Sequence, residues 1–172
     1  MVLFVFAELM LFSGFISGHV ISQRSAIPGT WPPADQPRLP VVSTAFNTAA
    51  LLLSGVLLLL AQRAYRRGDH AVAGRWLGGS IALGAAFVGF QGVEWARLLA
   101  QGLTVSSSLV GGFFYLIVGT HALHTLAGLG FLVSAGIALR AGRLTPSHFG
   151  AAQVLWYFVV LLWPVLYWKV YL

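Results

Sequence analysis

Residues Leu109–Leu139 read LVGGFFYLIVGTHALHTLAGLGFLVSAGIAL, a run without one Asp, Glu, Lys or Arg. A membrane-spanning helix needs about 20 such residues, each rising about 1.5 Å. The run is therefore a span with length to spare. It is expected to tilt or to project from the bilayer. Its polar side chains include two histidines near the middle, His121 and His124.

Working outward, four more apolar runs are expected to span. They extend from about Val2 to Ile21, Val42 to Ala61, Trp76 to Leu99 and Ala151 to Tyr171. Residues 22–41 between the first two are polar and rich in proline, and a regular helix is not expected there. The expected fold is all-α: a single polytopic bundle of about five transmembrane helices, with the proline-rich segment as an external loop. The opening residues lack a basic n-region and an obvious small-residue cleavage site, so they read as a retained helix.

Composition agrees. Of 172 residues, 58% are hydrophobic and 8% charged, against about 25% charged in soluble domains. The net charge of +6 does not indicate a nucleic-acid partner, because most arginines sit in short connectors, as topology signals do. Arg63, Arg66, Arg67, Arg75, Arg140 and Arg143 fall on one side of a five-span chain; Arg24, Arg38, Arg97 and Lys169 fall on the other. The positive-inside rule puts the first group in the cytoplasm, leaving the N-terminus cytoplasmic and the C-terminus external. The absence of cysteine excludes disulfides, thiolate metal sites and covalent haem attachment.

Within the spans, Glu8 lies about 9 Å into the hydrocarbon if Val2 marks its edge. A bare charge there costs at least about 2.5 kcal/mol, so Glu8 is expected to be protonated or paired. His19 returns to nearly the same face but nearer the interface. A protonated Glu8 is within reach of a neutral imidazole at His121 or His124. Gln91 and Glu94, spaced i and i+3, share one helix face and suit a loop cap or a grip on a neighbouring helix. Two histidines at i and i+3 can share a metal, but a closed site needs further ligands. His19, His70 and His148 lie near span ends or in connectors, so no intrinsic metal or haem is expected. Gly74, Gly78, Ala82 and Ala86 form a flat stripe where another backbone can approach, either within this chain or from a partner. The outermost of the C-terminal aromatics, among them Trp168 and Tyr171, suit an interfacial belt; deeper ones, such as Trp156 and Trp163, suit packing. No Walker loop, nucleophile elbow or dinucleotide fingerprint occurs.

The order of motifs resembles subunit III of the haem–copper oxidases across nearly the whole chain. FAELMLFSGF, WPP, LP with NT before LLSG, QGVEW, GLT with GGFFY, GTHALHTLAG, and HFG with WYF and VLYW follow one another as they do in that family. In the last helix the family's usual Trp-His-Phe-Val-Asp is here WYFVV, with Tyr157 and Val160 at the His and Asp positions. The resemblance implies a short five-helix bacterial form, multi-pass in the inner membrane. It implies an accessory subunit, without a catalytic residue or cofactor of its own, in an oxygen-reducing, proton-translocating respiratory complex. Haem and copper are then expected in the partner subunits. Partners implied are the catalytic haem–copper subunit I, other oxidase subunits and phospholipids. Glu8, Gln91, Glu94, His121 and His124 become the buried polar, proton-linked or lipid-linked positions, and Arg63, Arg66, Arg67 and His148 the lipid-headgroup candidates. A homologous accessory subunit of a nitric oxide reductase or quinol oxidase stays open as an alternative. An independent transporter is a third, although no internal repeat is evident.

Overall fold

The computed structural model describes residues 2–25, 39, 41–106 and 108–171. Five helices follow in order: α1 (Val2–Ser25), α2 (Val41–Arg66), α3 (His70–Ala100), α4 (Leu109–Arg140) and α5 (Pro146–Leu166). A π-helical segment, Tyr167–Tyr171, continues α5. All five are long and apolar enough to cross a membrane, and no strand occurs among the described residues.

The helices outrun the apolar segments that announce them. α2 continues to Arg66, α3 begins at His70, and α5 begins at Pro146. Leu, Ala and Arg are good helix formers in water as in lipid, so nothing unwinds the chain where the hydrocarbon stops. Arg63 and Arg66 in the last turn of α2, and Arg140 in that of α4, also complement the negative helix end. α1 likewise runs to Ser25, so the first residues of the expected proline-rich loop are helical. The rest of that loop lies, but for Leu39, outside the described residues. α4, at 32 residues, is the longest helix, and at about 1.5 Å per residue it exceeds the roughly 30 Å hydrocarbon core.

Two tight hairpins build the bundle. Between α2 and α3, Gly68 takes φ 81°, the left-handed region, and the Asp69 side chain accepts the Val72 N–H at 3.0 Å to cap α3. Between α4 and α5, Gly142 takes φ 66°, Thr145 accepts the His148 N–H at 3.2 Å, and Pro146 occupies the first turn of α5. The Tyr65 hydroxyl donates to the Leu144 carbonyl at 2.8 Å. That bond joins the two hairpins, so Arg63, Arg66, Arg67, Arg75, Arg140 and Arg143 gather at one end of the bundle. At the opposite end the Tyr167 hydroxyl donates to the Val41 carbonyl at 2.9 Å.

α2 through α5 form a four-helix unit, and α1 packs outside it, chiefly on α4. The core centres on two fully buried indoles, Trp156 and Trp163. Trp156 lies in a slot cut by two glycines. A Cβ on Gly84 would come within 2.6 Å of its ring, and one on Gly128 within 3.1 Å. The small-residue stripe of α3 plays a different part from close helix packing. A Cβ on Gly78 would meet nothing within 4 Å, and Ala82 is exposed. Gly74, Gly78 and Ala82 instead line an open groove beside α4.

Candidate functional site

The buried polar side chains form three groups along the bundle. The first joins α1 to α4. Glu8 Oε2 lies 3.1 Å from His124 Nε2, with both side chains about one-seventh exposed. The approach is close but is not an aligned hydrogen bond. His124 Nδ1 is 2.8 Å from the Thr120 carbonyl; a carbonyl only accepts, so Nδ1 carries a proton. Phe12, also on α1, sets its ring edge-on to His124 and tilted against Phe158 of α5. Of the two midspan histidines, Glu8 thus meets His124. His121 faces inward, 1% exposed, with its ring 5.0 Å from that of Trp163.

The second group ties α2 to α3 near the end away from the arginine cluster. Glu94 accepts from the hydroxyls of Ser43 and, at 3.0 Å, Thr44. Asn47 donates to the Phe87 carbonyl at 3.1 Å and reaches Gln91 Oε1 at 3.4 Å. Gln91 Nε2 donates to the Tyr171 hydroxyl at 3.0 Å. Gln91 and Glu94 therefore share a face, as their spacing implies, and that face grips α2 and the π-helical end of the chain. Sequence reasoning missed Ser43, Thr44, Asn47 and Tyr171 as their partners. The signal available was the polar run Ser43, Thr44, Asn47, Thr48 opening an otherwise apolar span.

The third group pins the indoles. Trp163 Nε1 donates to Thr48 Oγ1 at 2.8 Å, and Trp156 Nε1 to Ser54 Oγ at 3.1 Å. Ser80 Oγ donates to the Ser54 carbonyl at 2.8 Å. Such bonds are the usual glue between helices in hydrocarbon. Trp168, by contrast, is exposed, with Lys169 Nζ 4.3 Å from its ring centre. Tyr157 and Val160, the two departures noted in α5, are placed differently. The Tyr157 hydroxyl is buried without a hydrogen-bond partner. Val160 packs against Gly55 of α2.

At the arginine-rich end, Arg63, Arg66 and Arg67 are exposed, and His148 Nε2 is 2.9 Å from Ser134 Oγ. The cations beside a cavity are different ones. His70, Arg75 and Arg140 border a cavity of about 510 Å³, and a second of about 300 Å³ continues from it along Gly78, Ile81 and Val133 between α3 and α4. Among the described residues, no three His, Cys, Asp or Glu side chains converge as a metal site.

Compared with known proteins, residues 1–172 match the family described as cytochrome c oxidase subunit III. The chain is 35% identical to cytochrome c oxidase subunit 3 of Synechocystis sp., covering 99% of this chain and 73% of that protein. It is 31% identical to the probable cytochrome c oxidase subunit 3 of Nocardia farcinica, over 99% and 84% of the two. With cytochrome c oxidase subunit 3 of Gallus gallus it shares 32% identity, over 99% and 67%.

Proposed function

The chain belongs to the cytochrome c oxidase subunit III family, and on that premise we propose that it serves a respiratory terminal oxidase by stabilising the catalytic subunit, holding lipid and supporting proton uptake. It is an accessory subunit of a haem–copper oxidase. The observation that carries this role is the match over the full length of the chain.

The geometry supports a supporting part over a catalytic one. Glu94, Gln91, Thr48 and Ser54 are engaged in bonds between helices, which fix a shape and leave these groups little freedom to act on a substrate. The catalytic haem–copper subunit supplies haem and copper in this proposal, and α1, packed outside the four-helix unit, offers a broad apolar face to a neighbouring subunit or to lipid. Phospholipid occupies the groove between α3 and α4, with Arg75 and Arg140 at its mouth and Gly78, Ile81 and Val133 along its floor. The cationic mouth suits an anionic headgroup, and the apolar floor suits an acyl chain. The arginine-rich end faces the cytoplasm of a bacterial cell.

Affinity purification of the tagged chain from mild detergent tests the assignment. The expected result is a stoichiometric complex with a haem-binding chain, a Soret band and copper. Purification as a free subunit, or with a partner that contains no haem, refutes it.

A further inference from the structure

The geometry points to the midspan cavity between α3 and α4 as a binding site for a lipid-soluble ring bearing carbonyl oxygens, the headgroup of a membrane quinone. The cavity measures about 180 Å³ and is half-open. Its lining includes Phe87, Trp95, Val118, His121, Ala122 and Trp163. Gly92 and Leu126 are lining residues as well and are exposed, so the opening faces the bilayer.

Size, polarity and access argue together. An apolar cavity of about 150 Å³ takes up benzene and stays free of water, so this one has room for a substituted six-membered ring. Its walls are mostly aromatic and aliphatic, which suits a flat π-system; Gln91 and Thr125 also line it, and their side chains are bonded to Tyr171 and to the His121 carbonyl. Two lining residues carry hydrogen-bonding atoms that are buried and have no partner: Trp95 at Nε1, and His121 at both ring nitrogens. Buried groups of this kind are nearly always satisfied. Indole Nε1–H only donates, and a neutral imidazole offers one further donor. A carbonyl oxygen accepts from either, and a hydroxyl of the reduced, quinol form can donate to the remaining imidazole nitrogen. A ligand with an apolar ring, acceptor oxygens and a tail left in the bilayer meets all three conditions. The site is assigned binding, with no electron transfer.

The probe is an azido-substituted benzoquinone with a short isoprenoid tail, added to the intact detergent-solubilised complex and illuminated. The expected label falls on the peptides containing Gln91–Trp95 and His121–Leu126, and excess unlabelled quinone displaces it. Trp95→Phe keeps an aromatic ring and removes the N–H, and should weaken labelling about tenfold. Ala122→Phe fills the cavity and should abolish labelling while the haem spectrum of the complex persists. Labelling unchanged by Trp95→Phe overturns the site, as does displacement by phosphatidylglycerol rather than by quinone. A high-resolution map with only water beside His121 and Trp95 in quinone-saturated complex overturns it equally. Should Ala122→Phe fail to assemble, Trp95→Phe and the competition series still decide the matter.

Discussion

Glu8 of α1 and His124 of α4 face each other with carboxyl Oε2 and imidazole Nε2 3.1 Å apart. His124 Nδ1 is committed to the Thr120 carbonyl, so only Nε2 faces the carboxyl. If the proton sits on Glu8, the acid faces a neutral imidazole; if it sits on Nε2, the two form an ion pair. Either arrangement spares the bilayer an isolated charge.

Replacing Glu8 separates these roles. Glu8→Gln keeps a donor for Nε2 and should leave assembly close to wild type. Glu8→Ala removes the carboxyl beside His124 and should loosen α1, at a cost of no more than about 1.7 kcal/mol, the upper value for bonds between membrane helices, which average about 0.6 kcal/mol. Hydrogen exchange along α1 in the purified complex reads the difference. Equal protection of α1 in the Ala variant and the wild type would show that the pair contributes no anchoring.

The slot around Trp156 predicts opposite outcomes for two glycines of one helix. Gly84→Ala places a methyl group 2.6 Å from an indole that is fully buried and tied to Ser54. Overpacking of this kind costs about 1–3 kcal/mol. Gly78→Ala meets nothing within 4 Å and gains helix propensity, so it should be neutral or stabilising by up to about 1 kcal/mol. Thermal unfolding of the two variants in the same detergent makes the comparison.

The cationic groove mouth predicts a lipid phenotype. Arg75→Gln with Arg140→Gln should lower retention of anionic lipid after purification, since each surface cation is worth about 1 kcal/mol toward an anionic membrane. Native mass spectrometry of the complex measures the bound lipid. Arg63→Gln with Arg66→Gln, two cations at the same end of the bundle that do not line the groove, is the comparison, and it also tests the headgroup role their sequence positions suggest. An equal loss in control and test would place the lipid elsewhere.

Orientation is open to a direct check. A reporter fused after Leu172 should be active in the periplasm, and one inserted between Arg67 and Gly68 should be active in the cytoplasm, because the arginine cluster is retained inside. The reverse pattern in both fusions would invert the topology.

The number and order of the spans could be read from the sequence because uncharged runs of span length have no other stable solvent. The helix ends could not, because Arg66 and His70 are as helical as their neighbours. Nor could the packing faces. In a soluble helix the polar side marks the outside, but α4 carries no charged residue before Arg140 and has apolar residues on every face, and lipid and core select the same residues. The small-residue stripe at Gly74, Gly78 and Ala82 illustrates the difficulty. Its spacing suits close packing, yet the close approach occurs at Gly84, two positions beyond Ala82 and on a different face. Glu8 and the histidines could be paired on depth alone. That His124 and not His121 meets the acid depends on the rotation of α4, which spacing does not encode. Gln91 and Glu94 were legible as a pair, but their partners required the register of α2 against α3.

The place of α1 also sets an order of events during synthesis. α2 with α3, and α4 with α5, are neighbours in sequence and can close as soon as each hairpin leaves the ribosome. α1 has no such neighbour, since its main contact is α4, more than a hundred positions downstream of Glu8. At about 5–20 residues per second, on the order of ten seconds of translation separate the acid from the imidazole that receives it. For that interval the nascent first helix must hold Glu8 uncharged or find it a temporary companion, such as an insertase or a lipid headgroup.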